Sequence, residues 1–463
     1  MPRVPVFDHK MSDSEALMWR MEQDPHLSST FANVTVLDHP GNAAAFRARM
    51  ERASWAVRRL RQRVRPAPAN LTVPVWEDDP DFDIDYHVRH VAIPSPGSMR
   101  QLLDLATLIA ADPFDRTRPL WQFFVVDGLR GGKGALIQKM HHTIADGEAS
   151  LAMSLQFLDF EPNAPEPPPL DPALMADAEA EDDHRLNLVR DLTAASWRLP
   201  LGIARQVRDM VTNPTTIPSA GGGLGEIVAN LKHPPRTPSA LWTERSLKRR
   251  LETLQVSLES TKAAAKRLGG TLNTAFLTAA ADAAGQYHRH LGAPVETLNA
   301  SMAVSTRTKQ SGSNAFSLAR FAVPTSAMTI EERFAIVLER TSQAKSATTG
   351  LEALAAIVAA IPTPVLARFA RQQSHSVDFA TSNVRAAPMK VYIAGAEVLA
   401  NYPIGPLVGV AFNATLLSYN GSLDIGLNCD SAAVTDTALL RDCLQASFAA
   451  LLTGARPKRA RRR

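Results

Sequence analysis

The stretch Ala135-Leu136-Ile137-Gln138-Lys139-Met140-His141-His142-Thr143-Ile144-Ala145-Asp146-Gly147 decides the reading of this chain. Its first eight residues suit a strand, the next five a loop, and a helical pattern resumes from Gly147 to Leu158. Adjacent residues on a strand point to opposite faces, so His141 and His142 do not chelate one metal together. At most one of them faces a given cleft. Gly147 supplies backbone freedom at the turn into the helix. Asp146 can cap that helix or pair with a cation behind an imidazole. An imidazole held at a strand end suits removal of a proton from an alcohol or thiol. A histidine pair at a strand end also has a purely structural explanation, so the pair alone does not decide the function.

Upstream, Ala43–Val64 carries apolar residues at helical spacing, Phe82–Ile93 alternates like a half-buried strand, and Met99–Ala111 is helical. In that helix Leu102, Leu103, Leu105 and Leu108 are expected to share one stripe. Trp121–Leu129 and Gly134–His142 are predicted strands joined by Arg130-Gly131-Gly132-Lys133.

Downstream, six prolines between Pro162 and Pro172 and the acidic run Glu179–Asp183 cannot build a core, so they form a linker. Leu186–Val211 reads as helix, and Thr212–Pro238 is a second loose segment. A second α/β unit starts near Leu241. Its predicted strands are Leu251–Leu258, Asn299–Thr306, Leu318–Pro324, Lys390–Val398, Ala411–Tyr419 and Ser422–Cys429. Its predicted helices are Ser260–Leu268, capped by Ser260, then Thr274–Tyr287 and Ile330–Thr341. Asn420-Gly421 is a hairpin signal, because both residues tolerate positive φ. The expected organisation is an α/β chain with an N-terminal domain over 1–160, a linker and helical crossover over 161–240, a C-terminal domain over 241–455 and a basic tail over 456–463.

The composition narrows the function classes. The chain has 463 residues, 45% hydrophobic and 21% charged, as expected of a globular protein. Cys429 and Cys443 are too few for a disulfide framework and match no metal motif, so both are expected to be buried thiols in a reducing compartment. Arg456, Lys458, Arg459, Arg461, Arg462 and Arg463 crowd the last eight positions, and without these six the formal charge of +4 falls to −2. The basicity belongs to the tail, and no basic stripe interleaved with aromatics marks a nucleic-acid surface. The N-terminus lacks the apolar stretch of a signal peptide. The apolar run Ala353–Ala367, about 15 residues with two prolines, is short of the roughly 20 that span a bilayer. No G-x-S-x-G nucleophile elbow, zinc-ligand spacing or carboxylate pair competes with the histidines near the 141–147 segment.

The segment His141–Gly147 fits the HHxxxDG signature shared by CoA-dependent acyltransferases and peptide-synthetase condensation domains. Its surroundings resemble the bacterial wax ester synthase/diacylglycerol acyltransferase family. The resemblance is carried by Met11-Ser12-Asp13-Ser14-Glu15-Ala16, by Phe82–Gly97, by Asp115–Leu129 around Pro119-Leu120-Trp121, and by Tyr392–Asp430. It covers nearly the whole chain.

It implies two chloramphenicol-acetyltransferase-like domains with mixed sheets and a tunnel between them. By position, His142 is then the general base, His141 is structural, Gly147 leaves room for substrate, and Asp146 pairs with an arginine, for which Arg307 in Ala303–Thr308 is the candidate. Asn383 lies in a supporting segment. The co-substrate implied is acyl-CoA, with no separate cofactor and no metal. The acceptor implied is diacylglycerol or a long-chain alcohol. The place of action is cytoplasmic, with peripheral contact to the inner membrane face or a lipid droplet, to which the basic tail could contribute.

Two segments depart from the family's pattern. The family usually carries Asn-Asp where this chain has Asn273-Thr274, and SNVPGP where it has Ser382-Asn383-Val384-Arg385-Ala386-Ala387-Pro388. Two other readings therefore stay open: a specialised lipid or polyketide alcohol as acceptor, and a lipid-binding member with reduced or no activity.

Overall fold

The structure is a computed structural model, and it describes residues 9–66, 73–144, 153–165, 237–305, 316–346 and 363–453. The N-terminal half supplies α1 (Asp13–Met21), β1 (Thr30–Leu37), α2 (Ala43–Ala56), β2 (Gln62–Arg65), β3 (Val75–Asp78), α3 (Ile84–His87), β4 (Val88–Ala92), α4 (Met99–Ala111), β5 (Trp121–Leu129), β6 (Lys133–His141) and β7 (Leu158–Asp159). The C-terminal half supplies β8 (Arg249–Ser257), α5 (Leu258–Arg267), α6 (Leu272–His290), β9 (Thr297–Ser305), β10 (Phe316–Pro324), α7 (Ile330–Ser346), α8 (Thr363–Ser374), β11 (Phe379–Arg385), β12 (Tyr392–Ile393), β13 (Ala396–Ile404), β14 (Phe412–Tyr419), β15 (Ser422–Asp430) and α9 (Thr437–Thr453).

Two mixed sheets result. The first runs β4-β5-β6-β1-β13-β12-β7 and the second β10-β9-β11-β14-β15-β8, while β2 and β3 form a separate ribbon. The β4–β5 pair is parallel, as the crossover through α4 requires. β5 and β6 are an antiparallel hairpin closed by the predicted glycine turn. Asn420 and Gly421 take φ of 42° and 81°, the left-handed pair that a two-residue hairpin between β14 and β15 demands.

The feature that joins the halves is β13. It leaves the second half and pairs antiparallel with β1 in the first sheet, Ala32 opposite Ile404. Its polar groups are then tied back to the second sheet. Asn401 N–H donates to Asp424 at 2.6 Å, and Asn428 Nδ2 donates to Gly405 O at 2.9 Å. Gly426 has to be glycine, because a Cβ there would lie 1.9 Å from Pro403 O. Both faces of the first sheet also receive apolar side chains from the second half. Leu417 and Tyr419 enter the core on one face, with Phe46, Trp121 and Met140, and Leu251 enters the core on the other, with Leu102, Val126 and Ile137. The second sheet has its own core, in which the alanine-rich α6 is buried on most sides.

Several elements differ from the sequence reading for local reasons. Helix α2 stops at Ala56; a 3₁₀ turn over Arg58–Arg61 and β2 follow. Val57, Leu60 and Val64 keep helical spacing and all reach one core, which the turn and strand achieve as well as a helix would. Phe82–Ile93 is not one strand. Asp83 accepts from Asp85 N–H at 2.9 Å and caps α3 before β4 begins. On α4, Leu102 and Leu103 are buried but Leu108 is 68% exposed; six residues on, it has turned to the far side of the helix. Helix α5 begins two residues before Ser260, because Ser257 is the cap, accepting from Ser260 N–H at 3.2 Å. Lys390–Val398 is broken at Ala394-Gly395, both at positive φ, into β12 and β13. The proposed helix Leu186–Val211, most of the 161–240 linker and the basic tail lie outside the described residues, as does most of the apolar run Ala353–Ala367. Cys429 and Cys443 are both free and buried.

Candidate active site

Strand β6 lies between β5 and β1, with His141 opposite Thr30 and Met140 opposite both Phe31 and Trp121. Alternation puts Lys139 and His141 on one face and Met140 on the other. At the strand's end the chain turns. His142 N–H donates to Ser29 O at 3.2 Å, and Ile144 N–H closes onto His141 O at 2.9 Å. The His142 ring is half-buried, 4.7 Å from the ring of Phe31 and tilted by 42°. Phe31 packs on the Met140 side, so the two imidazoles leave the strand on opposite faces.

His141 is fully buried in a polar cluster that the sequence did not reveal. Its Nδ1 is 2.7 Å from Thr143 Oγ1 and receives Thr143 N–H at 3.2 Å. Its Nε2 meets the carboxylate of Glu22, which follows α1. Glu22 also accepts from Ser28 Oγ at 2.6 Å and Thr30 Oγ1 at 3.3 Å. Burial pushes the Glu22 carboxyl upward in pKa, and the Ser28 hydrogen bond and the charge of Arg116 oppose that shift. Arg116 lies 3.5 Å over the Trp19 ring and donates to Trp19 O at 2.9 Å. Two residues before His141, the Lys139 ammonium donates to Asp112 O at 2.8 Å, and burial lowers its pKa to about 8. No motif marks Glu22 in the sequence, and Arg116 lies in the family-like stretch Asp115–Leu129 without being singled out there, since each acts through tertiary contacts.

A third histidine supports β5. His87 Nδ1 is 2.7 Å from Trp121 O, and its ring stacks between Phe82 and Trp121 at 5.1 and 4.5 Å. Burial lowers its pKa to about 4, and burial with repulsion from Arg116 lowers that of His141 to about 3. Between those values and the ordinary 6.5, the unfolded chain binds protons that the folded chain refuses. Stability therefore falls as pH drops from about 6.5 towards 4. Urea midpoints taken from pH 7 to pH 4.5 should show this loss, and His87→Gln should make it shallower. An unchanged pH slope in that variant would contradict the assignment.

In the second half, Asn383 of β11 reaches the start of α6, where its Nδ2 donates to Asn273 Oδ1. The two segments that depart from the family pattern thus touch each other. Thr274 takes part in a capping box with Thr271, whose Oγ1 accepts Thr274 N–H at 3.3 Å. Asp146, Gly147 and Arg307 lie outside the described residues. Among the described residues, no group of three or more His, Cys, Asp or Glu side chains gathers as a metal site.

Two mixed sheets linked by an exchanged strand give this chain a fold similar to those of a solved acyltransferase and of solved condensation domains. A wax ester synthase/diacylglycerol acyltransferase from Marinobacter aquaeolei VT8 superposes with a TM-score of 0.65 over 96% of this chain and 98% of its own, at 20% identity. The first condensation domain of the CDA synthetase superposes with a TM-score of 0.57 at 14% identity, over 98% of both chains. The profile of the wax ester synthase/diacylglycerol acyltransferase catalytic domain matches residues 11–276, and that of the WS/DGAT C-terminal domain matches 312–452. A putative diacylglycerol O-acyltransferase of Mycobacterium tuberculosis H37Rv is 30% identical over 97% of this chain and 92% of its own. A probable diacylglycerol O-acyltransferase of the same strain is 27% identical over 95% of both. The chain belongs to the wax ester synthase/diacylglycerol acyltransferase family and is an acyltransferase.

Proposed function

We propose that the protein moves a long-chain acyl group from acyl-CoA to the hydroxyl of diacylglycerol or of a fatty alcohol, yielding triacylglycerol or a wax ester. His142 is the general base. It takes the proton from the acceptor hydroxyl as the oxygen attacks the thioester carbonyl. The tetrahedral adduct then collapses, the C–S bond breaks, and the departing CoA thiolate takes the proton back from the imidazolium. Atoms and charge balance without a further co-reactant.

The observation that carries this reading is the division of labour within the histidine pair. His141 is buried and committed to Glu22 and Thr143, whereas His142 is the half-buried member on the opposite face. The family resemblance gives Asp146 a supporting role with Arg307 as its candidate partner and gives Gly147 the role of leaving room for substrate; in the second half, Asn383 supports the site through its bond to Asn273. Acyl-CoA is a substrate in this scheme, so no separate cofactor is needed.

A water-insoluble product calls for peripheral association with the inner membrane face or a lipid droplet. No described helix is long and apolar enough to cross a membrane. The basic tail at 456–463 would add about 1 kcal/mol per cationic residue held near an anionic surface.

The test is incubation of the purified protein with acyl-labelled CoA thioester and, separately, diacylglycerol, a long-chain alcohol and a panel of specialised lipid and polyketide alcohols, followed by separation of the extracted lipids. Labelled triacylglycerol or wax ester is the expected product. Ester formed only with a specialised alcohol would overturn the acceptor assignment, and acyl-CoA binding without any ester would overturn the reaction.

A further inference from the structure

We propose that Glu22 is a positioning residue for the base, acting through His141 on the turn that carries His142. The proposal rests on the reading of His142 as the base. Thr143 N–H can only donate, so His141 Nδ1 is an acceptor. A neutral ring then carries its proton on Nε2 and donates it to Glu22. The carboxylate thereby fixes both the tautomer and the rotation of the His141 ring. The ring in turn holds the N–H and hydroxyl of Thr143 at 3.2 and 2.7 Å, one residue beyond His142.

His142 therefore sits between two fixed points. Its own N–H is bound to Ser29 O, and the residue after it is bound to His141. Glu22 is itself held by Ser28 and Thr30, and Thr30 is the cross-strand partner of His141. Ser28, Ser29 and Thr30 thus tie the base's backbone and the carboxylate to one short segment. Loss of the Glu22 acceptor lets His141 turn, frees Thr143 and shifts the imidazole of His142 relative to the acceptor hydroxyl. A misplacement near 1 Å at a reacting group costs about 100-fold in rate.

The experiment compares Glu22→Met, which keeps the length but offers only a weak thioether acceptor, with Glu22→Gln, which keeps an acceptor oxygen. Steady-state kinetics are measured with acyl-CoA and the preferred alcohol. Glu22→Met should lower kcat by about 10- to 100-fold and leave the KM for acyl-CoA within about twofold. Glu22→Gln should stay within about fivefold of the wild type, because His141 still finds a partner. The Glu22→Met/His141→Ala double variant should be no slower than the slower single variant, since both break one chain of contacts.

A folded Glu22→Met protein with wild-type kcat would overturn the proposal. So would equal losses in the Met and Gln variants, or single losses that multiply in the double. If the Met variant does not fold, Glu22→Gln decides. A near-normal kcat with a slowly exchanging His141 Nε2 proton seen by NMR supports the proposal, and a full loss of kcat overturns it. Failure of the base assignment itself would appear separately, as turnover retained in His142→Ala.

Discussion

Replacing His142 by alanine should lower kcat by about 10²- to 10⁴-fold, the usual contribution of a general base. The protein should still fold. The ring is half-buried, its aromatic neighbour is Phe31, and a tilted ring pair of that kind contributes about 0.5–1.5 kcal/mol beyond its buried area. The KM for acyl-CoA should change little, because the imidazole acts on the acceptor hydroxyl in the transition state and not on the thioester in the ground state. Circular dichroism and a melting curve establish the fold, and the rate of CoA thiol release measures the chemistry. A folded variant with full turnover would remove His142 from the mechanism and return the pair to a structural role.

The largest stability effect should come from Trp121→Ala, at roughly 3–5 kcal/mol. Trp121 is fully buried at the first position of β5. Its indole N–H donates to Leu60 O at 2.8 Å, its ring stacks on His87, and its edge meets Phe123 at 5.3 Å. Truncation leaves a cavity, an unsatisfied carbonyl and a buried imidazole that has lost one of its two stacking partners. The damage reaches the site through the next strand. Trp121 is opposite Met140, and Leu120 O accepts His141 N–H at 3.0 Å. Trp121→Phe keeps the aromatic packing and should cost clearly less. Urea unfolding followed by tryptophan fluorescence measures both, and a loss below about 1 kcal/mol in the alanine variant would show that the site relaxes around the missing ring.

Much of the first sheet could be read from the chain because its signals are local. β5 and β6 are runs of strand-forming residues separated by consecutive glycines, and α4 carries both an apolar stripe and a capping box at Ser98 and Gln101. Local signals also misled where two conformations satisfy one pattern. Val57, Leu60 and Val64 reach the same core from a turn and a strand as they would from a helix. Phe82–Ile93 alternates like a strand although Asp83 caps a helical turn inside it.

The exchange of β13 into the first sheet was not legible. Its strand pattern is as plain as its neighbours', but its partner is β1, more than 350 residues earlier in the chain. Nothing in the sequence of either strand names the other. Tertiary distance also hid the site's support. The histidine pair announced itself in a motif, and alternation separated the two rings correctly. Glu22, over 100 residues from His141, carries no pattern of its own, and only the fold brings it to the imidazole. The link from Asn383 to Asn273 is of the same kind, and it joins two segments that the sequence could only single out separately.

The role of His142 in acyl transfer is tested by following both products of one reaction. Purified protein is given acyl-labelled CoA thioester and the preferred alcohol, and free CoA thiol and labelled ester are measured over the same time course, beside His142→Ala. Thiol and ester should appear in equal amounts with the wild type, and both should nearly vanish with the variant. Thiol released without ester, or ester formed equally well without His142, would contradict that role.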